Sequence, residues 1–132
     1  MSLRVGIDLV SVESVRESLR THGERYLERI YTQQEIADCR DGDEISAERL
    51  AARFAAKEAA MKALRLPPSE GLDWRSIELV REPDGWTWLR LTGRARELAD
   101  RQEIGSLEVS VSHEGSLAAA VVFGALADDG AP

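Results

Sequence analysis

Residues 53–65, RFAAKEAAMKALR, form the segment around which the fold is built. Alanine dominates it, and alanine favours both helix formation and close packing. A helix is predicted from about Ser46 to Leu64, and Pro67-Pro68 follows as a stop signal. A helix packed against a sheet ordinarily carries few charges. This one carries Arg53, Lys57, Glu58, Lys62 and Arg65.

The periodicity of a helix sorts these charges by face. Residues four apart lie on the same face, so Glu58 and Lys62 form one row, while Arg53 and Lys57 lie along a neighbouring stripe. Spacing alone favours ordinary roles for them. Glu58 and Lys62 would form an ion pair, and Arg53 and Lys57 would be solvated, with their stems covering apolar neighbours. A ligand-binding role needs partners from elsewhere in the chain.

Asp8 is the leading partner for Glu58. It interrupts the apolar predicted strand 3–10, where a carboxylate is costly unless it is paired or bound to a cation. Gly6, on the same face of that strand, leaves room for another element to approach closely. The alternative is that Asp8 ends the strand and caps the following helix. A divalent cation requires oxygen ligands of the kind that Asp8 and Glu58 would supply.

The remaining pattern predicts one α+β domain. Helices are predicted over residues 11–19, 24–31, 32–40, 46–64 and 92–103, and strands over 3–10, 76–81, 86–92, 107–112 and 117–123. The strands pair in an antiparallel-rich sheet packed against the long central helix, with strand 3–10 in the same sheet. The domain spans residues 1–125, and residues 126–132 are expected to be a flexible tail.

His113 is a further candidate for the functional site. It lies in the predicted hairpin loop 113–116, at an exposed end of a strand. A lone histidine is more often structural than functional, so position alone does not decide its role.

Composition limits the possible functions. The chain has 132 residues and a formal net charge of −7, which argues against a general nucleic-acid binder. No apolar run is long enough for a membrane span, and the N-terminus lacks a signal-peptide pattern. Cys39 is the only cysteine, which makes a cytoplasmic setting the default. The charge also means that an acidic partner would need a local basic patch or a metal ion.

Five segments occur in an order that resembles the holo-acyl-carrier-protein synthase family, the small 4′-phosphopantetheinyl transferases. They are GIDLV at 6–10, RIYTQQE at 29–35, RLAARFAAKEAAMKAL at 49–64, GLDWRSIEL at 71–79 and VSVSHE at 109–114. The resemblance covers roughly residues 4–124. It implies that coenzyme A donates its phosphopantetheine arm to a serine of an apo acyl carrier protein, with Mg²⁺ or Mn²⁺ as cofactor. It also implies a homotrimer with active sites at the subunit interfaces.

The resemblance assigns roles to individual residues. Asp8 and Glu58 would bind the metal ion, and Lys62 would contact the pyrophosphate. The general base is either Glu58 or a water on the metal ion held by Asp8. The coenzyme A site would contain Arg49, Arg53, Lys57, Lys62 and, from the neighbouring subunit, His113.

The acidic carrier protein would dock on the first helices, where basic residues four apart form rows. These are Arg16, Arg20, Arg25 and Arg29, with glutamates between them. A solvated helix of mixed charge is the alternative.

Residues 65–70 depart from the family, which typically has a glycine-rich turn there. The departure suggests a specialised carrier, for example in polyketide synthesis. It also leaves open a non-catalytic module that binds a carrier protein or nucleotide, and a metal-dependent nucleotide hydrolase.

Overall fold

One long helix and a three-stranded sheet organise the protein, whose computed structural model describes residues 2–67 and 69–127. The helices are α1 (Val12–His22), α2 (Glu24–Ile30), α3 (Gln33–Cys39), α4 (Ala47–Ala63) and α5 (Gly93–Arg101). The strands are β1 (Leu3–Ser11), β2 (Arg40–Asp41), β3 (Glu44–Ile45), β4 (Ile77–Arg81), β5 (Thr87–Leu91), β6 (Ile104–Glu114) and β7 (Leu117–Leu126). The predicted α+β class, with a sheet packed against the long helix α4, is confirmed.

The main sheet has the strand order β1-β7-β6, and both pairs of neighbours are antiparallel. Its register places Asp8 of β1 opposite Ala120 of β7, and Ala120 opposite Val111 of β6. Because side chains alternate along a strand, the face that carries Asp8 also carries His113, two residues beyond Val111. α4 packs on this face. Asp8 and His113 therefore both lie on the side of the sheet that faces α4.

Gly6 allows α4 to approach β1 closely. A Cβ atom built on Gly6 would overlap the carbonyl oxygen of Ala59 and lie 2.9 Å from the amide nitrogen of Ala63. The space predicted beside Gly6 is thus occupied by the backbone of α4. Since α4 also carries Glu58, this contact sets how near Glu58 comes to Asp8.

Replacing Gly6 with alanine should therefore destabilise the protein. A helix backbone cannot move aside as a flexible side chain can, so we expect a loss of at least about 1–3 kcal/mol in the free energy of unfolding. Gly105→Ala is the matched control, because nothing lies within 4 Å of a Cβ atom at that position. Thermal denaturation of both variants measures the difference. Equal melting temperatures for the two would contradict this packing.

The opposite face of the main sheet is apolar and exposed. Ile7 is 66% exposed and Leu9 63% exposed, although both lie in a regular strand. The large apolar side chains exposed on this face of β1 and β7 are Leu3, Val5, Ile7, Leu9, Leu117 and Phe123. A contiguous patch of this kind marks an interaction surface. We call these six residues the outer apolar face.

β4 and β5 form a separate two-stranded sheet, so the prediction of a single sheet is wrong on this point. The inner side of this hairpin carries Ile77, Leu79 and Leu89, all of them buried. It packs beside α4 and joins the same apolar core. The hairpin therefore buries its apolar side without joining the main sheet.

α4 ends before the prolines that were predicted to stop it. The amide of Leu66 donates to the carbonyl of Met61 at 3.2 Å, and the amide of Arg65 donates to that of Lys62 at 3.1 Å. This pair of bonds is the Schellman arrangement of a helix C-terminus. Arg65 has a φ of 53°, the left-handed conformation that glycine usually supplies, at a cost of about 1 kcal/mol.

Both strands of the final hairpin are longer than predicted. β6 includes His113, so the turn shortens to Gly115 and Ser116. β7 reaches Leu126, whose amide donates to the carbonyl of Ser2, and the amide of Ala127 donates to that of Glu103. The predicted tail therefore does not begin at residue 126, and its remaining part, 128–132, lies outside the described residues. Among the helices that the structure describes, none is long and apolar enough to cross a membrane.

Candidate active site

The charged residues of α4 lie on two different sides of the helix. Glu58 and Lys62 face β1, where they meet Asp8. Arg49 and Arg53 face the β4–β5 hairpin and β6. Glu58 follows Arg53 by five positions, which corresponds to a rotation of about 140° around the helix. α4 therefore contributes to two separate clusters.

The first cluster joins α4 to β1. Lys62 Nζ donates to Asp8 Oδ1 at 3.1 Å and to the carbonyl oxygen of Ile7 at 2.9 Å. The side chain of Asp8 is 14% exposed and that of Lys62 is 55% exposed, so the pair can be reached from solvent. We call Asp8, Glu58 and Lys62 the carboxylate–lysine centre.

Two ordinary interpretations from the sequence are wrong. In the described part of the chain no ion pair joins Glu58 to Lys62, because Lys62 reaches across to β1 instead. Asp8 does not cap α1 either. The cap is Ser11, whose hydroxyl accepts a hydrogen bond from the amide of Ser14 at 3.2 Å. The ion pair between Asp8 and Lys62 therefore joins β1 to α4.

Glu58 lies close enough to Asp8 for the two charges to interact. Burial raises the pKa of the Glu58 carboxyl group, the negative charge of Asp8 raises it further, and Lys62 acts in the opposite direction. A carboxylate held close to a second carboxylate forms a site that favours a cation. Mg²⁺ and Mn²⁺ prefer such oxygen ligands, and Mg²⁺ often takes only one or two protein carboxylates. The donor set of the carboxylate–lysine centre fits the predicted divalent ion.

The second cluster lines a groove of about 320 Å³ between α4, the β4–β5 hairpin and β6. Of the residues that the structure describes, four basic side chains line it, and Asp38 is the single acidic residue in the lining. We call it the basic groove and define it by Arg49, Arg53, Arg81 and His113. Arg49, Arg53 and His113, three of the predicted coenzyme A contacts, therefore lie in one groove, although His113 is 60 positions from Arg53 in the sequence.

Arg53 is the most deeply placed of these cations. It is 5% exposed, its Nη1 donates to the carbonyl of Arg49 at 3.2 Å, and its Nη2 lies 3.9 Å from Asp38 Oδ2. Its Nε is buried and has no hydrogen-bond partner within residues 2–67 and 69–127. A buried donor of this kind is costly unless a ligand or water satisfies it. The basic groove is thus suited to an anion such as a phosphate group.

Arg81 is a candidate binding residue that sequence reasoning missed. It ends β4 and pairs with Thr87, and both line the basic groove. The signal was the alternation of β4, since Arg81 follows Leu79 by two residues and therefore shares its inward face. Alternation alone does not place Arg81 in the groove, because the hairpin packs beside α4 and does not join the main sheet.

Lys57 is not placed where the sequence predicted. Its side chain is fully buried, and Nζ donates to Glu35 Oε1 at 2.7 Å and to the carbonyls of Trp74 and Ile77. All three ammonium donors are used by the protein. The prediction that Lys57 contacts the nucleotide phosphates is therefore wrong. Burial lowers the pKa of Lys57, and the Glu35 carboxylate opposes that shift.

The partner of Lys57, Glu35, belongs to a buried polar network. It accepts from the amide of Thr32 as part of the predicted capping box, and its Oε2 accepts from the amide of Leu79 at 3.1 Å. The hydroxyl of Thr32 bonds to Glu78, which also pairs with Arg90 at 2.9 Å. The network ties α3, α4 and the β4–β5 hairpin together. Its role is structural.

The four arginines proposed for carrier docking divide into two groups. Arg16 and Arg20 both pair with Glu13, at 2.7 and 3.0 Å. Arg25 and Arg29 instead line an open groove of about 310 Å³ together with His22 and Tyr26. The second pair therefore offers more free positive charge to an acidic partner than the first.

Comparisons with known proteins show the family to which the chain belongs. Residues 4–122 match the model of the 4′-phosphopantetheinyl transferase superfamily. The chain is 41% identical to a holo-[acyl-carrier-protein] synthase of Koribacter versatilis, covering 93% of this chain and 98% of that one. It is 38% identical to the synthase of Herpetosiphon aurantiacus, over 92% and 98% of the two chains.

Solved structures of related enzymes share the fold. The Helicobacter pylori holo-[acyl-carrier-protein] synthase in complex with coenzyme A superposes with a TM-score of 0.79 at 30% identity, over 92% of this chain and 99% of that one. A synthase–coenzyme A complex from Chronobacterium ammoniagenes superposes with a TM-score of 0.81 at 29% identity, over 97% and 100%.

Proposed function

Because the chain belongs to the 4′-phosphopantetheinyl transferase superfamily, we propose that it is a holo-acyl-carrier-protein synthase. It transfers the 4′-phosphopantetheine arm of coenzyme A to a serine of an apo acyl carrier protein and releases adenosine 3′,5′-bisphosphate. The observation that carries the proposal is the carboxylate–lysine centre, Asp8, Glu58 and Lys62, in a chain matched over residues 4–122.

Asp8 and Glu58 would hold a divalent ion, Mg²⁺ or Mn²⁺, which neutralises charge on the pyrophosphate when it is bound. Lys62 sits beside Asp8 with more than half of its side chain exposed, so its ammonium group can also reach a phosphate oxygen. The basic groove, with its unpartnered Arg53 Nε, would hold phosphate of the nucleotide half. Positioning and charge neutralisation are what phosphoryl transfer needs from a protein.

In the reaction the serine oxygen attacks the phosphorus atom that carries the pantetheine arm. The bond from that phosphorus to the bridging oxygen breaks, and both electrons leave with the bisphosphate. The serine proton passes to a base. Glu58, which lies beside Asp8 in the carboxylate–lysine centre, is a candidate for this base.

A second copy of this chain would complete the active site. The carboxylate–lysine centre and the basic groove lie on different sides of α4, and Asp8 and His113 are separated by β7, about 9–10 Å of sheet. The outer apolar face offers a surface on which copies can associate. We therefore favour a homotrimer in which the carboxylates of one chain face the basic groove of its neighbour.

Introducing a charge on the outer apolar face should break this assembly. Val5→Glu places a carboxylate on a half-exposed apolar position next to Phe123. In analytical ultracentrifugation the wild type should sediment as a trimer and the variant as a monomer, with transfer lowered at least about 100-fold. Ala37→Glu, an exposed change on α3, should alter neither. A fully active Val5→Glu monomer would refute the shared site.

The acidic carrier protein would dock on α1 and α2, where Arg25 and Arg29 carry most of the attraction. Arg16 and Arg20 contribute less because they share the carboxylate of Glu13, and Arg16 also lies 3.6 Å from the carboxylate of Glu48. This local patch accounts for binding an acidic partner by a chain with a net charge of −7. Cytoplasmic reaction is our expectation, consistent with a lone Cys39 that is free and buried.

The release of adenosine 3′,5′-bisphosphate tests the reaction class. The protein is incubated with coenzyme A and Mg²⁺, with and without an apo carrier, and the nucleotide is quantified by chromatography. Transfer predicts release only when the carrier is present. Release without the carrier would identify a hydrolase, and binding of coenzyme A without release under any condition would identify a non-catalytic module.

A further inference from the structure

Arg65, the last charged residue of the segment 53–65, belongs to neither cluster. It is exposed, and among the described residues its guanidinium group has no hydrogen-bond or ion-pair partner. Its backbone amide bonds to the carbonyl of Lys62 at 3.1 Å. The backbone of Arg65 is thus held three positions after Lys62 and carries an exposed cation.

The backbone of Arg65 adopts a conformation that glycine would adopt more easily. Its φ of 53° lies in the left-handed region, which disfavours a residue with a Cβ atom. Glu103, which follows α5 and Gln102, has a similar φ of 59°, but its side chain is an anion and not a cation. A strained residue beside a reactive site supports a use for its side chain.

Charge balance indicates what that use is. Asp8, Glu58 and Lys62 together carry one net negative charge, and a divalent ion makes the set positive by one. The pyrophosphate of coenzyme A carries two negative charges, so one further cation neutralises the complex. Arginine suits this role because its planar donors match phosphate oxygens.

We propose that Arg65 binds the pyrophosphate of coenzyme A as a second cation beside Lys62. This assignment rests on the proposed function and adds a residue to its substrate site. The left-handed backbone of Arg65 lowers the stability of the turn, and its side chain raises the affinity of the active site for coenzyme A.

The test separates the backbone of Arg65 from its charge. Arg65→Gly relieves the strain and removes the charge, Arg65→Asn tolerates the left-handed backbone without the charge, and Arg65→Lys keeps the charge. Glu103→Gly is the matched control, because it relieves the same kind of strain without removing a cation, next to Gln102, whose side chain donates to the carbonyl of Leu64 at 2.6 Å. Each variant is examined by thermal denaturation, by calorimetric titration with coenzyme A and Mg²⁺, and by steady-state transfer.

We expect Arg65→Gly and Glu103→Gly both to melt a few degrees higher than the wild type. Arg65→Gly and Arg65→Asn should bind coenzyme A about tenfold more weakly and show a matching rise in its KM. Glu103→Gly should bind as the wild type does, and Arg65→Lys should retain most of the affinity.

Unchanged binding of coenzyme A in Arg65→Gly and Arg65→Asn would overturn the inference. A rise in the KM of the carrier protein alone would also overturn it, because Arg65 would then contact the acidic partner. Calorimetry needs no carrier, so it decides the role of Arg65 even if the wild type proves inactive in transfer. Such inactivity would count against the proposed function instead.

Discussion

Replacing Glu58 with glutamine should lower the rate of phosphopantetheine transfer at least about 100-fold, and Asp8→Asn should do the same. Each change removes a charged oxygen from the carboxylate–lysine centre while keeping its shape, so the proposed divalent ion would lose a ligand and the reaction its charge stabilisation. The measurement is the initial rate of carrier modification at saturating coenzyme A. Glu97→Gln, an exposed change on α5, is the matched control and should keep full activity.

The same variant carries a second readout that does not depend on activity. The pKa of Glu58 is raised in the folded protein, so its ionised form opposes folding, and stability falls as the pH rises through that pKa. Without metal at neutral pH, Glu58→Gln should therefore melt above the wild type. Mg²⁺ should raise the melting temperature of the wild type and leave the variant unchanged. Substantial activity in Glu58→Gln, or equal responses to Mg²⁺, would refute the metal role.

Replacing Lys57 with methionine should lower the free energy of unfolding by about 3–5 kcal/mol, because it leaves the buried Glu35 carboxylate without its partner. Lys62 offers a matched control. The chain has only two lysines, both in α4, and Lys62 is 55% exposed where Lys57 is fully buried. Lys62→Met should therefore cost little stability and much activity. Chemical denaturation and transfer assays distinguish the two.

A compensating change tests the origin of the loss at Lys57. Adding Glu35→Gln to Lys57→Met removes the buried carboxylate that has lost its partner but keeps an acceptor for the amides of Thr32 and Leu79. Part of the lost stability should therefore return. The contrary result is a Lys57→Met protein with a normal melting temperature and a raised KM for coenzyme A. That would place Lys57 on the nucleotide after all.

The contrast between Lys57 and Glu58 marks the limit of prediction from sequence. Helical spacing separates Arg53 and Lys57 from Glu58 and Lys62, but it does not say which side the rest of the protein covers. Lys57 is buried because Glu35, 22 residues earlier in the chain, and the β4–β5 hairpin close over it. Those contacts are long-range, so no local pattern reveals them.

Asp8 shows the opposite case, in which the local sequence was sufficient to predict a partner for its side chain. A carboxylate inside an apolar strand demands a partner, and Gly6 on the same face predicts close approach of another element. Both expectations agree with the contact between β1 and α4. Arg65 was left without a role because its meaning depends on backbone conformation. Only the φ angle and the neighbouring Lys62 carbonyl make it informative.

The most direct test of the account is intact-mass spectrometry of an apo acyl carrier protein after incubation with this protein, coenzyme A and Mg²⁺. The account predicts a gain of one phosphopantetheine arm on one serine, abolished by chelating the metal and by Glu58→Gln. No mass gain on any of several apo carriers, with correctly folded protein and free Mg²⁺ present, would contradict it.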